Sequence, residues 1–252
     1  MSSFRNVLGT FSNVLHKRGV DGLARRYVNG LGFGPVSFSL TGGSVLALIG
    51  SNGSGKTTLA RCTASLEQPD AGCFKFEQSG ESAFLRPGLD VGVVLQGAQP
   101  WQRMTVSQNL MLPLQRVRGL TVTEAKERVQ ITLRAFGLDD RSESVAGSLS
   151  GGLKQRLMLA RALGLEPKFL ILDEVTSAMD AEWTERIRLH LLQYRQEYGA
   201  TIVLISHQLN FVRRVATSVA YLANGKLIEY GAASNVLENP SSVSLQQFLM
   251  NA

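Results

Sequence analysis

The sequence predicts an α/β fold, a largely parallel sheet covered by helices on both faces, and three observations predict it. Apolar runs such as Val45-Leu46-Ala47-Leu48-Ile49 and Phe169-Leu170-Ile171-Leu172 are continuous rather than alternating, as strands buried on both faces are. Segments of helical character separate the runs, as crossovers between parallel strands require. The first run ends in a glycine-rich turn, residues 50–57, and Thr58-Leu59-Ala60-Arg61-Cys62 after it can continue a helix.

In chain order, strands are expected at 36–40, 44–49, 91–95, 168–172, 201–206, 218–222 and 226–230. Asn224-Gly225, between the last two, is the strongest short hairpin signal, because the matching turn needs a positive φ at both positions. Strand signals stop between about 97 and 148. There Thr121-Val122-Thr123-Glu124 has the form of a capping box, in which hydroxyl and carboxylate satisfy each other's free N–H groups. It opens a run with Val122, Ala125, Val129, Leu133 and Phe136 on one face, closed by Gly137. A helical insertion between two strands of the sheet is therefore expected, and residues 242–249 read as a short final helix. Near the start, Phe4, Val7, Leu8, Phe11, Val14 and Leu15 fall at near-helical spacing, close to Lys17-Arg18 and Arg25-Arg26. This amphipathic extension suits a helix packed on its own domain or a partner subunit, or one lying on a membrane surface, which the bases favour.

With 252 residues, 44% of them apolar, the chain can bury a large core in one domain carrying an insertion. Its apolar runs fall far short of the roughly 20 residues of a membrane helix, and its first residues lack the long apolar stretch of a secretory signal. Cys62 and Cys73 have no metal-type Cys/His spacing and are read as reduced thiols of an intracellular chain. The net charge of +6 suits an anionic partner: nucleotide, nucleic acid or acidic lipid surface.

Gly50-Ser51-Asn52-Gly53-Ser54-Gly55-Lys56-Thr57 matches the whole phosphate-cradling pattern G-x-x-x-x-G-K-[ST]. Its glycines let the backbone curl until several N–H groups converge on one anion. Lys56 supplies a point charge to the terminal phosphates, and the Thr57 hydroxyl is a hard oxygen ligand for Mg²⁺. A helix starting here aims its positive end at the same phosphates. The strand 169–172 delivers Asp173 and Glu174 to the sheet edge where ligands of open α/β folds bind. Asp173 suits Mg²⁺, directly or through water, and Glu174, turned another way by strand alternation, suits polarising an attacking water. Leu149-Ser150-Gly151-Gly152-Leu153-Lys154-Gln155-Arg156 forms a second anion-binding helix start. One nucleotide does not need two such sites on one chain. A dimer explains the duplication, because each chain's second site can close over the nucleotide held by its partner's first.

Together these motifs resemble those of the ATP-binding cassette (ABC) transporter ATPases, from about residue 20 to the C-terminus. The turn at 50–57 corresponds to the family's Walker A motif and 169–174 to its Walker B, while 149–153 is similar to the signature LSGGQ. Gln96, after Val93-Val94-Leu95, matches the Q-loop glutamine that reaches the Mg²⁺ and water. Ser177-Ala178-Met179-Asp180 is similar to the D-loop, His207 to the switch histidine at the γ-phosphate, and Tyr27 to the aromatic that stacks on adenine. The resemblance implies a P-loop NTPase sheet with an antiparallel N-terminal β-subdomain and an inserted helical subdomain. It divides the chain into an extension, 1–19, and an ABC ATPase domain, 20–252, whose helical subdomain spans about 97–148. ATP and Mg²⁺ are the implied cofactors. Catalytic roles fall to Glu174, His207, Gln96 and Lys56, and metal contacts to Thr57, Gln96 and Asp173. ATP contacts fall to Tyr27, Gly50, Ser51, Asn52, Gly53, Ser54, Gly55, Lys56, Thr57 and Thr58, with Ser150, Gly151, Gly152 and Asp180 reaching the partner's ATP in trans. Two positions depart from the family pattern: Leu153 stands where Gln is usual and Val175 where Pro is common, and neither change removes a catalytic group.

Without sustained heptads or a second cassette, the chromosome, repair and translation types of ABC ATPase fit poorly, and no nucleic-acid partner is expected. A nucleoside kinase or GTPase would account for the P-loop but not for 149–152 or His207. The run from Arg61-Cys62 to Leu66-Glu67-Gln68-Pro69, Met104-Thr105-Val106 with Asn109-Leu110, and the tail Glu238-Asn239-Pro240 with Gln246-Gln247-Phe248-Leu249 resemble the polar amino acid importers. That resemblance implies an ATPase subunit, paired with itself or a second ABC ATPase around two ATP molecules. It would drive integral membrane permease subunits, with a solute-binding protein, from the cytoplasmic face of the cell membrane. Two alternatives stay open: the ATPase of an exporter, lipoprotein-releasing or cell-division-type complex, and a regulatory cassette with weak ATPase activity.

Overall fold

The computed structural model describes residues 17–78, 81–82 and 89–251, so the amphipathic stretch expected over 4–15 lies outside the described residues. Three strands come first: β1 (Lys17–Arg26), β2 (Gly32–Thr41) and β3 (Val45–Ile49). Helix α1 (Lys56–Thr63) follows the glycine-rich turn and leads to β4 (Ala71–Gln78), β5 (Glu81–Ser82) and β6 (Val91–Val94). The helices α2 (Val106–Arg116), α3 (Val122–Ala135) and α4 (Gly151–Gly164) intervene before β7 (Phe169–Asp173). Then come α5 (Ala181–Tyr198), β8 (Thr201–Ile205), α6 (Leu209–Val215), β9 (Ser218–Ala223), β10 (Lys226–Ala232), α7 (Ala233–Glu238) and α8 (Val243–Met250).

The larger sheet has six strands in the order β10-β9-β3-β8-β7-β6. Its β9, β3, β8, β7 and β6 run parallel, and β10 adds an antiparallel edge through the Asn224-Gly225 turn, whose φ values are 51° and 73°. The continuous apolar runs have a direct cause, since each face of a central strand enters a different core. In β7, Leu170 and Leu172 join one cluster with α2 to α5, while Phe169 and Ile171 join another beneath the smaller sheet. In β3, Leu46 and Leu48 face that second cluster, whereas Ala47 and Ile49 pack with α6, α7 and α8. Edge strand β10 has no second core and alternates in exposure.

The smaller sheet is antiparallel, in the order β2-β1-β4-β5. Strand β1 carries no period-two pattern that a sequence reading could catch. Its register on β2 shifts between Val20 and Leu23 and again between Leu23 and Arg25, and Gly22 takes φ 59°. Bulges of this kind put successive side chains out of alternation.

In the helical stretch, α2 and α3 both begin with complete capping boxes, Thr105 with Gln108 and Thr121 with Glu124. Arg156 of α4 lies 3.9 Å over the Trp183 ring of α5 and donates to the Phe136 and Gly137 carbonyls, both at 3.3 Å, at the end of α3. Gly137 has φ 58°, and a Cβ there would stand 2.7 Å from the indole, so the α3 terminus admits only glycine. No helix among the described residues is long and apolar enough to cross a membrane.

Candidate functional site

The C-terminal ends of β3 and β7, the start of α1 and the turn after β8 converge on one cleft of about 620 Å³. Its lining includes Tyr27, Asn52, Gly53, Gly55, Lys56, Thr57, Thr58, Gln96, Asp173, Glu174 and His207, eleven of the residues singled out from the sequence. Gly50, Ser51 and Ser54 build the turn behind it. Gly50 takes φ 143°, and a Cβ on it would meet the Leu222 carbonyl at 2.1 Å, so only glycine fits where the turn crosses the end of β9. Gly55 takes φ 99° directly before α1, which leaves the first N–H groups of that helix facing the cleft floor.

Lys56 is buried, and its ammonium donates to the Gly50 and Ser51 carbonyls at 2.8 Å each. Burial pushes its pKa below the usual ammonium range, against the pull of Asp173 and Glu174. The Thr57 hydroxyl donates to Asp173 Oδ2 at 2.8 Å. These two hard oxygens, in the cleft that Gln96 also lines, suit Mg²⁺, a metal that takes one or two carboxylates and fills its remaining positions with phosphate and water. Among the described residues no cluster of three or more His, Cys, Asp or Glu side chains could hold a metal ion.

Glu174 departs from the expected strand geometry. Strand β7 ends at Asp173, and Glu174 turns out of it with φ 53°, so both carboxylates face the one cleft instead of opposite faces. Its N–H donates to the Ile205 carbonyl at 3.0 Å. The carboxylate accepts the His207 N–H at 3.0 Å and lies 3.6 Å from the imidazole Nε2. Burial raises the pKa values of both Glu174 and Asp173 above the ordinary carboxylate range, opposed by His207 at the first and by the Thr57 hydroxyl at the second.

Tyr27 stands at the rim. Its phenol donates to Glu67 at 2.5 Å, and the Arg25 guanidinium, paired with Glu67 and Asp70, lies 5.3 Å from the ring centre. Arg61 joins the lining unforeseen, although its position one turn after Thr57 on α1 was a usable signal. Ser150, Gly151, Gly152 and Asp180 do not line this cleft. Ser150 caps α4, and Asp180 caps α5 by accepting the Trp183 N–H at 2.8 Å. A second cleft of about 540 Å³ adjoins His207, bounded by Met179, Glu185 and Arg214, and has neither glycine turn nor paired metal-type oxygens.

This arrangement, a phosphate-cradling turn and two carboxylates at the switch edge of a parallel sheet, is that of an ATP-binding cassette. The family model described as ABC transporter matches residues 33–177, more than half of the 252 residues, and the chain belongs to that family. It is 39% identical over 220 residues to the methionine import ATP-binding protein MetN 4 of Oceanobacillus iheyensis, covering 85% of this chain and 63% of that protein. It is likewise 39% identical over 219 residues to the methionine import ATP-binding protein MetN of Brucella abortus, covering 85% of this chain and 59% of that one. The chain therefore spans about three fifths of the length of these relatives. In fold it is similar to the crystal structure of the ADP conformation of MJ1267, an ATP-binding cassette of an ABC transporter, with TM-score 0.74, 24% identity, and coverage of 93% of this chain and 99% of that one.

Proposed function

We propose that this chain is the ATP-hydrolysing subunit of an ABC importer for an amino acid, closing as a dimer around two ATP molecules to drive a separate membrane permease. The observation that carries the reading is the convergence of Lys56, the Thr57–Asp173 oxygen pair and the Glu174–His207 pair in one cleft. The two relatives named for methionine import favour that substrate class over the polar amino acids expected from the short sequence runs.

ATP would lie with its base against Tyr27 and its phosphates on the turn at 50–57, where Lys56 and the first N–H groups of α1 face them. Mg²⁺, held by Thr57 and Asp173 with Gln96 near, would neutralise charge between the terminal phosphates. Glu174 accepts a proton from a water aimed at the γ-phosphate, and His207 faces the charge that develops there. Ser150, Gly151 and Gly152, away from this cleft, would complete the partner's site. Leu153 replaces only a side chain of that helix start and leaves its N–H groups in place.

The test is a Glu174→Gln substitution. Hydrolysis by the purified chain should fall about 10²–10⁴-fold while ATP affinity stays close to that of the parent, since the substitution removes a base and leaves the cradle. Hydrolysis at the parent rate would remove Glu174 from this role and favour the regulatory cassette.

A further inference from the structure

We propose that Gln155, which does not itself line the cleft, is a positioning residue that ties the Ser150–Gly152 helix start to the reactive carboxylate of the same chain. The inference rests on the proposed ATPase reading. Gln155 lies one turn after Gly151 on α4 and therefore on the same side of that helix. Its Nε2 donates to the Glu174 carbonyl at 2.9 Å and to Ser177 Oγ at 3.2 Å, and its Oε1 accepts the Ala178 N–H at 3.0 Å. The orientation of the amide is fixed by its partners, since a carbonyl can only accept and an N–H only donate.

Glu174 needs such support. A glutamate at φ 53° sits in the left-handed region, which a side chain occupies only when its surroundings over-determine it. Its N–H and carboxylate are fixed by the β8 end, through Ile205 and His207. Its carbonyl is fixed from the other side, by Gln155 and by the Ser177 hydroxyl at 2.9 Å. Of these groups, Gln155 is the one that belongs to α4. The same helix start also meets the Ala178 turn by close packing, because a Cβ on Gly152 would lie 2.9 Å from the Ala178 carbonyl. A displacement of the α4 start on meeting the partner's nucleotide would therefore reach the Glu174 carbonyl directly through Gln155 and indirectly through Ser177, while the Gly152 contact carries it to the Ala178 turn. Gln155 would let each chain's carboxylate sense whether its own signature turn is engaged.

The experiment compares the parent chain with Gln155→Ala, Gln155→Glu and Glu174→Gln for steady-state hydrolysis, for ATP binding without Mg²⁺, and for ATP-dependent dimerisation. Gln155→Glu keeps the acceptor for Ala178 but sets a carboxylate oxygen against the Glu174 carbonyl. Both Gln155 variants should lose kcat on the order of 100-fold, as misplacement of a reacting group by about 1 Å does, with ATP affinity and dimerisation kept. Equal losses of kcat, affinity and dimerisation would mark a merely structural residue and overturn the proposal, as would kcat within about twofold of the parent in both variants. If the parent itself hydrolyses nothing, or Glu174→Gln hydrolyses as the parent does, the ATPase reading fails first and the inference falls with it.

Discussion

Glu174 shows how a single backbone angle carries chemistry. Had β7 continued through it in regular alternation, its carboxylate would point away from that of Asp173, yet φ 53° brings both into the cleft. The residue identities Asp173-Glu174 were legible, but the turn was not, because it depends on Ile205, His207 and Gln155 from other places in the chain. Burial raises the Glu174 pKa, so the acid limb of the pH–rate profile should lie above the ordinary carboxylate range. Stability follows with a definite sign. A carboxyl whose pKa is raised on folding contributes stability below its unfolded pKa and loses it as pH rises through the folded one. Glu174→Gln should therefore melt higher than the parent at neutral pH without nucleotide, and the difference should shrink towards about pH 4, as calorimetry at a series of pH values would show. Tyr27 allows a second prediction at this scale. Stacking of a base on an aromatic ring contributes about 1–3 kcal/mol, so Tyr27→Ala should raise the Kd for ATP roughly tenfold or more and Tyr27→Phe far less, measured by calorimetric titration.

At the scale of elements, the strands legible as unbroken apolar runs are those with a uniform environment. Strands β3, β7 and β8 are buried along their whole length and read as unbroken apolar runs. Strand β1 escaped because its bulges and Gly22 break the alternation on which recognition of a half-buried strand depends. The helix that begins at Thr121 announced itself through side chains local to its own first turn, and the structure contains that capping box. Removing one such cap, by Thr105→Ala or Thr121→Ala, should cost about 1 kcal/mol in denaturant unfolding. Leu170→Ala, in a strand closed on both faces, should cost about 2–5 kcal/mol by the same measurement.

At the scale of the whole molecule, three cores share one sheet, and its C-terminal edge, with Tyr27 just after β1 of the smaller sheet, gathers residues into a site no single segment contains. The motifs at 50–57, 96, 173–174 and 207 could be read singly, but their common cleft is a property of strand order. The second glycine-containing helix start at Ser150 stands apart from that cleft, and its proposed role is to close over a partner's nucleotide. Light scattering of the Glu174→Gln chain with and without ATP tests this most directly. Saturating ATP with Mg²⁺ should double the mass from the 27.4 kDa of one chain, and Ser150→Arg should abolish the doubling while Kd for ATP stays within about threefold. A chain that binds ATP and remains at the mass of a monomer would contradict the proposed dimer.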